Sequence, residues 1–308
     1  MEVALRSGLT TGTCAAAAAK AAAAALAGGR AADGAAGETV AVPLPDGETV
    51  TLAIESLERL GGARARAAVR KDAGDDPDVT DGMTVVVEVE VTGDGDAVTF
   101  VAGPGVGTVT RAGLQLAPGE PAINPVPRRM IAAALREALP LGAVRVTVSI
   151  PGGEETALRT FNPRLGIEGG LSVLGTSGRV IPKSEDAWMR SLLPQVAMAL
   201  AAGNRTVYLA PGSYGERAAR DVLGAPETAI VQCSNFAGDL LDHCVDAGVE
   251  HVVVVGHAGK LVKLAAGIWN THSRYGDARL ETVAALAAAA GAPPTLVTRL
   301  LELATVEA

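Results

Sequence analysis

The chain has 308 residues, of which 48% are hydrophobic and 19% charged, and its formal net charge is -8. That is enough for two ordinary cores, and it argues against nucleic acid as a partner, because a phosphate backbone needs a basic footprint. Three cysteines, Cys14, Cys233 and Cys244, give no paired framework and no metal-finger spacing, which fits reduced thiols in a cytoplasm and no bound metal; the longest strongly apolar run, VVVV at 252–255, is too short to span a bilayer.

Residues 5–26 read LRSGLTTGTCAAAAAKAAAAAL. Lys20 splits the alanines, and TTGT stands where the apolar core of an export signal would begin. Alanine is the strongest helix former, and Thr10, Thr11 and Thr13 are cap-type residues. The stretch therefore reads as turn, cap, helix. The cap is either structural or a ligand site, since a helix start offers backbone N–H groups and a positive dipole end.

Short β-like runs follow at 40–44, 49–54, 83–91 and 97–102, several alternating as half-buried antiparallel strands do. KDAGDDPDVTDG (71–82) holds five aspartates and one lysine. The default is a solvated acidic loop; the alternative is a general base, for which Asp75 and Asp76 are the candidates. GPGVGT (103–108) has the look of a cofactor turn, but β-branched residues, Gly113 and Pro118 follow it, so it lacks the helix such a turn requires. That removes the chief support for a nucleotide-dependent oxidoreductase. A helix is expected at 126–139, with Pro127 in its first turn, then a strand at 144–150 and a helix near 187–202.

From 204 the rhythm changes to three strand–helix units, with strands at 205–211, 228–233 and 251–256. This implies a parallel sheet with crossover helices. The expected architecture is thus α and β in two domains. Residues 1–203 form an α+β domain with a largely antiparallel sheet, and 204–308 an α/β domain with parallel strands. In an open parallel sheet, ligands sit beyond the carboxyl ends of the strands. The turns carrying Gly212, Ser213 and Gly215, and Gly256 and His257, lie on that edge. GHAGKLVKLAAGIWNTHSRYGDAR (256–279) places Lys260, Lys263, Arg274 and Arg279 against Asp277 alone. In an acidic chain this local excess suggests an anionic ligand; the plainer reading is a solvated helix face.

Five blocks carry a resemblance. LRSGLTTGTCAAAAAKAA, KDAGDDPDVTDG, GPGVGTVTRAGLQLAPGEPAINPVPRRMI, FNPRLGIEGGLSVLGTSGRVIPKSEDAW and GHAGKLVKLAAGIWNTHSRYGDAR occur in this order between about residues 5 and 280. Together they resemble the CbiD family, the cobalt-precorrin-5B C-1 methyltransferases of anaerobic cobalamin synthesis. Family members often have Asn where this chain has Ser213, and often run further past the last helix.

The resemblance implies transfer of a methyl group from S-adenosylmethionine to C-1 of a cobalt-containing macrocycle, giving cobalt-precorrin-6A. Cobalt then arrives only as part of the substrate. A polycarboxylate substrate calls for charge-assisted hydrogen bonds. The residues expected to supply them are Arg111, Arg128, Arg164, Lys260, His272 and Arg274, with backbone donors at Thr10, Thr11 and Thr13. The macrocycle is expected between the domains, and the methyl donor at Gly212, Ser213, Gly215, Gly256 and His257. The runner-up function is a non-catalytic carrier of cobalt-corrinoid intermediates. A homo-oligomer and transient contacts with neighbouring pathway enzymes are compatible with either function.

Overall fold

The computed structural model describes residues 5–28, 37–140 and 142–306. The chain divides into two compact units, Met1–Ser184 and Glu185–Ala308.

In the first unit, a short strand β1 (Gly8–Leu9) leads into helix α1 (Thr11–Leu26). A hairpin follows, β2 (Thr39–Pro43) with β3 (Thr49–Ala53). Then come β4 (Ser56–Gly61), β5 (Arg64–Arg70), β6 (Thr84–Gly93) and β7 (Val98–Ala102). Two short strands, β8 (Gly105–Val106) and β9 (Thr108–Val109), precede helix α2 (Pro125–Ala138). After β10 (Ala143–Ser149) and a short helix α3 (Gly153–Ala157), the unit closes with β11 (Ile167–Glu168), β12 (Gly170–Leu171) and β13 (Arg179–Val180). The main sheet has the order β4-β5-β6-β10-β7. All its pairings are antiparallel except β10 with β7. Val146 of β10 stands between Val89 and Phe100.

Helix α1 is buried on almost every side; only Lys20, Ala24 and Leu26 are partly exposed. Its methyl side chains let neighbours approach closely, so it forms the centre of a core shared with Ala65, Ala67 and Val69 of β5, Val85 and Val87 of β6, and Ile131 and Leu135 of α2. A Cβ on Gly12 would lie 2.8 Å from the Pro127 ring, so the crossing with α2 depends on that missing atom. Lys20, the one charge in the helix, donates to the Ala41 carbonyl at 2.8 Å and pairs with Glu137.

Strands β4 and β5 are not expected from the pattern. Strand β5 reads RARAAVR, and its inward residues are mostly alanine, which has low β propensity. They are small because α1 lies directly over them. GPGVGT runs into β8 and β9, and the next helix begins only at Pro125, so the oxidoreductase turn has no structural counterpart. A Cβ on Gly105 would lie 1.8 Å from the Ile150 carbonyl oxygen. These glycines serve backbone packing.

The second unit begins with helices α4 (Glu185–Leu192) and α5 (Pro194–Ala201), broken at Pro194. It continues β14 (Thr206–Ala210), α6 (Ser213–Asp221), β15 (Ile230–Gln232), α7 (Ala237–Asp246), β16 (His251–Val254) and α8 (Ala258–Ala265). Helices α9 (Arg279–Ala289) and α10 (Pro294–Leu301) end it. The sheet is wholly parallel in the order β15-β14-β16, with Tyr208 of β14 between Ile230 and Val253.

The boundary therefore falls at 184, ahead of the expected 203. The physical reason is burial. Leu192, Val196 and Ala199 are fully buried, and the Gln195 side chain exchanges hydrogen bonds with the backbone of Gln232 at 3.1 and 3.2 Å. Helices α4 and α5 are part of the second core.

Among the described residues, no helix is long and apolar enough to cross a membrane.

Candidate functional site

Strand β14 is central, so the loops after β14, β15 and β16 meet at one edge. Two close approaches lock the first and third of these turns together. A Cβ on Gly215 would lie 2.1 Å from the Val255 carbonyl oxygen, and one on Gly256 would lie 2.8 Å from the Pro211 ring. Gly212 differs, since a Cβ there would meet nothing within 4 Å. Of the three glycines expected to admit a ligand, Gly215 packs its helix against the turn after β16, Gly256 packs that turn against Pro211, and Gly212 faces open space.

Side chains tie in the remaining turns. Lys260, in the first turn of α8, donates to the Pro211 carbonyl at 2.6 Å and to Asn235 Oδ1 at 3.4 Å. Burial lowers its pKa below the usual lysine value, since desolvation disfavours the ammonium form. Thr271 donates its hydroxyl to the same Asn235 oxygen at 3.2 Å, and its backbone N–H to the Asn235 carbonyl at 2.9 Å. Lys263 is buried and donates to the carbonyls of Thr271 and Gly276 at 3.2 and 2.9 Å. The basic stretch 256–279 is thus largely a frame, whose lysines satisfy carbonyls of the edge loops.

Aromatic rings sit on this frame. Tyr214 follows Ser213 at the start of α6, and its ring stacks on His257 at 4.0 Å between centroids, with 29° between planes. Both side chains are exposed. On the β15 side of the edge, Phe236 packs edge-on against Trp188 at 5.9 Å. Trp269 lies against Gly238 and is also exposed. His272 and Arg274 lie further along the same loop. His272 Nδ1 accepts from the Arg274 backbone N–H at 3.2 Å, capping a short 3-10 turn. The Arg274 guanidinium pairs with Glu185 and packs over the Tyr275 ring, 4.7 Å from its centroid.

The expected residues of the first unit have different surroundings. Thr10 caps α1, accepting from the Thr13 N–H at 3.2 Å. Thr13 donates its hydroxyl to the Gly178 carbonyl at 2.7 Å. Thr11 accepts from the Leu174 N–H at 3.0 Å, and the Gly12 N–H goes to the Leu174 carbonyl at 3.1 Å. All three threonines are buried. The loop above them contains Gly175 and Gly178, where a Cβ would lie 2.4 Å from Thr10 Oγ1 and 2.6 Å from Leu44 Cδ2. The helix start is therefore roofed by protein, and its threonines act as a structural cap.

The acidic loop is also internally organised. Asp75 Oδ2 accepts the Arg6 N–H at 2.6 Å, and Asp76 Oδ2 the Lys183 N–H at 3.1 Å. Asp81 accepts from Ala73 N–H at 2.7 Å. Asp72 pairs with Arg6, whose guanidinium holds it down to about 2. Asp78 accepts from the buried Lys71 amine at 2.8 Å. Burial pushes Asp78 upward, but hydrogen bonds from Lys71 and Thr80 outweigh it and hold it below the carboxylate range.

A cleft of about 420 Å³ beside this loop is lined by Leu9, Cys14, Leu52, Glu55, Arg70 and Asp72, among others. Its charged liners are engaged, Glu55 with Arg70 and Asp72 with Arg6.

Arg128 pairs with Glu120 at 2.8 Å, donates to the carbonyls of Ile123 and Pro121, and lies over Phe100. It is a buttress under α2. Arg111 and Arg164 are exposed on neighbouring turns, the Arg111 stem lying against Gly166.

All three thiols are buried, and burial pushes them up to about 12 for Cys14 and Cys233 and about 11 for Cys244. None is a nucleophile near neutral pH. Among the described residues, no group of three His, Cys, Asp or Glu is placed to hold a metal ion.

Tyr214, Asn235 and Thr271 are missed by sequence reasoning. Tyr214 sits inside the strand–turn–helix segment APGSYGE, so its position was legible although its exposure was not. For Asn235 there is a backbone signal, since Ser234 before it has φ of +52°, an uncommon conformation for a non-glycine residue.

A family model described as CbiD matches residues 1–182, and one described as CbiD, C-terminal domain, matches residues 270–308. A cobalt-precorrin-5B C(1)-methyltransferase of Moorella thermoacetica is 51% identical over 305 residues, 99% of this chain and 81% of the relative. One from Desulfitobacterium hafniense is 46% identical, covering 98% and 76%, and one from Methanocaldococcus jannaschii is 44% identical, covering 90% and 75%. A crystal structure of the cobalamin biosynthesis protein CbiD from Archaeoglobus fulgidus matches with a TM-score of 0.45 at 29% identity, over 87% of this chain and 82% of that one. Similarity of this degree, running through both units, has one meaning for descent: the chain belongs to the CbiD family.

Proposed function

We propose that this chain methylates C-1 of cobalt-precorrin-5B, with S-adenosylmethionine as donor, to give cobalt-precorrin-6A. The observation that carries this is the agreement of relatives 44–51% identical along nearly the whole chain, all named for that reaction. When bound, the donor supplies a sulfonium-activated methyl group to the ring carbon.

The protein's task is then positioning. Holding donor and acceptor in reactive alignment is worth roughly 7–11 kcal/mol of a barrier. That role needs no nucleophilic side chain, in keeping with three thiols held protonated by burial. The carboxyl edge of the second unit suits the donor. Gly212 leaves the turn after β14 open, and Gly215, Gly256 and Lys260 fix the turns around it. Ser213 and His257 start the two helices that border the opening. For the acidic substrate, Arg111 and Arg164 are among the exposed cations of the first unit and have the charge to meet carboxylates. Asp75 and Asp76 tie backbone segments together, so the reading assigns proton removal to neither.

The test is incubation with methyl-labelled donor and cobalt-precorrin-5B, followed by locating the label by NMR. Label on C-1 is expected. Tight macrocycle binding without labelling would instead make the chain a carrier.

A further inference from the structure

A ring pair is exposed at the carboxyl edge of a chain that is sparing with rings, 3% of its residues being aromatic. Tyr214 is 47% exposed, and His257 lies against one of its faces. Backing by a second ring fixes the plane of the first. The helices that carry the two rings are themselves held together, because Gly215 meets Val255 and Gly256 meets Pro211 with no space for a side chain. Lys260 adds a hydrogen bond to the Pro211 carbonyl from the same helix that follows His257. A rigid aromatic surface therefore stands beside Gly212, where the turn faces open space.

We propose that Tyr214, backed by His257, is the stacking platform for the adenine of the methyl donor. The proposal rests on the methyltransferase reading above and adds the residue that seats the donor. A flat, uncharged heterocycle suits this surface: stacking needs a π face, and the nearby Lys260 amine already donates to Pro211 and Asn235. The rival platform is Trp269, 55% exposed on the other flank of the same edge.

Calorimetry with S-adenosylhomocysteine separates these. Base–aromatic stacking energies translate to a loss of about ten- to a hundred-fold in affinity for Tyr214→Ala. Tyr214→Phe keeps the ring and should stay within about three-fold of the parent. Trp269→Ala should bind as the parent does. Because Tyr214 is exposed, the variants are expected to melt with the parent, and steady-state kinetics should show the Tyr214→Ala loss in KM for the donor while kcat is kept. Unchanged affinity in Tyr214→Ala, or a loss confined to Trp269→Ala, would overturn the platform while leaving the function standing. Absence of any binding by the parent chain would instead remove the methyl-donor reading itself.

Discussion

Two kinds of helix start in this molecule look alike in sequence and differ in space. At α1, small and polar residues, TTGT, precede a run of alanines; at α6 and α8, PGSYG and GHAGK precede amphipathic helices. Each reads as a place where backbone N–H groups await an anion or a cofactor. At α1 the loop 174–178 supplies carbonyl acceptors and covers the threonines. At α6 the neighbouring glycines pack inward and leave Gly212 and the Tyr214 ring outward. A helix start becomes a site only when nothing else in the chain has taken its donors and its space.

The largest effect should come from the claim that polar groups of the first unit serve each other. Asp78→Ala strands the buried Lys71 amine and should cost about 3–5 kcal/mol in urea unfolding. Lys71→Met leaves Asp78 a quarter exposed, able to regain water, and should cost at most about 1 kcal/mol. Equal losses would mean that the pair is not organised as described.

The second comparison concerns glycines of the carboxyl edge. Gly215→Val drives a side chain into the Val255 carbonyl and should destabilise the protein by about 3 kcal/mol. Gly212→Ala meets no neighbour, so its stability change should stay within about 0.5 kcal/mol, while it weakens S-adenosylhomocysteine binding if the donor approaches there. A stable Gly215→Val chain would undo the distinction between packing and open glycines.

A smaller loss is expected at the roofed helix start. Thr10→Ala removes the cap of α1 and should cost about 1 kcal/mol. Macrocycle affinity, measured by titration on the folded fraction, should be unchanged. A selective loss of affinity would return Thr10 to the substrate site.

The smallest effect is electrostatic. The Asp72 carboxyl titrates near 2 in the folded chain, below its ordinary value, so the Arg6–Asp72 pair stabilises above that ordinary value and is lost as pH falls toward 2. Both side chains are more than half exposed, so solvent screening keeps the contribution of the pair small. The stability gap between the parent and Asp72→Asn should close between about pH 4 and about pH 2, and should shrink in high salt. A gap that persists below pH 2 would point to a role other than charge pairing.

Much of the fold was legible because period and propensity act locally. The alanine run became α1, and the strand–helix rhythm after 204 became a parallel sheet. The failures were places where a neighbour decided. β5 was hidden because its inward side chains are cut down to alanine beneath α1. The boundary expected at 203 lies at 184, because α4 and α5 belong by packing to the second core. Arg128 has the charge to grip a carboxylate, yet Glu120 and two carbonyls hold it.

The sequence by itself determined the element types, the two-part α and β architecture and the family, since these depend on residue order along short stretches and on long matching blocks. Tertiary structure alone decided which polar groups remain available. Hydrogen-bond capacity and space are finite, and whether a threonine, an arginine or a glycine still has either depends on residues far away in the chain.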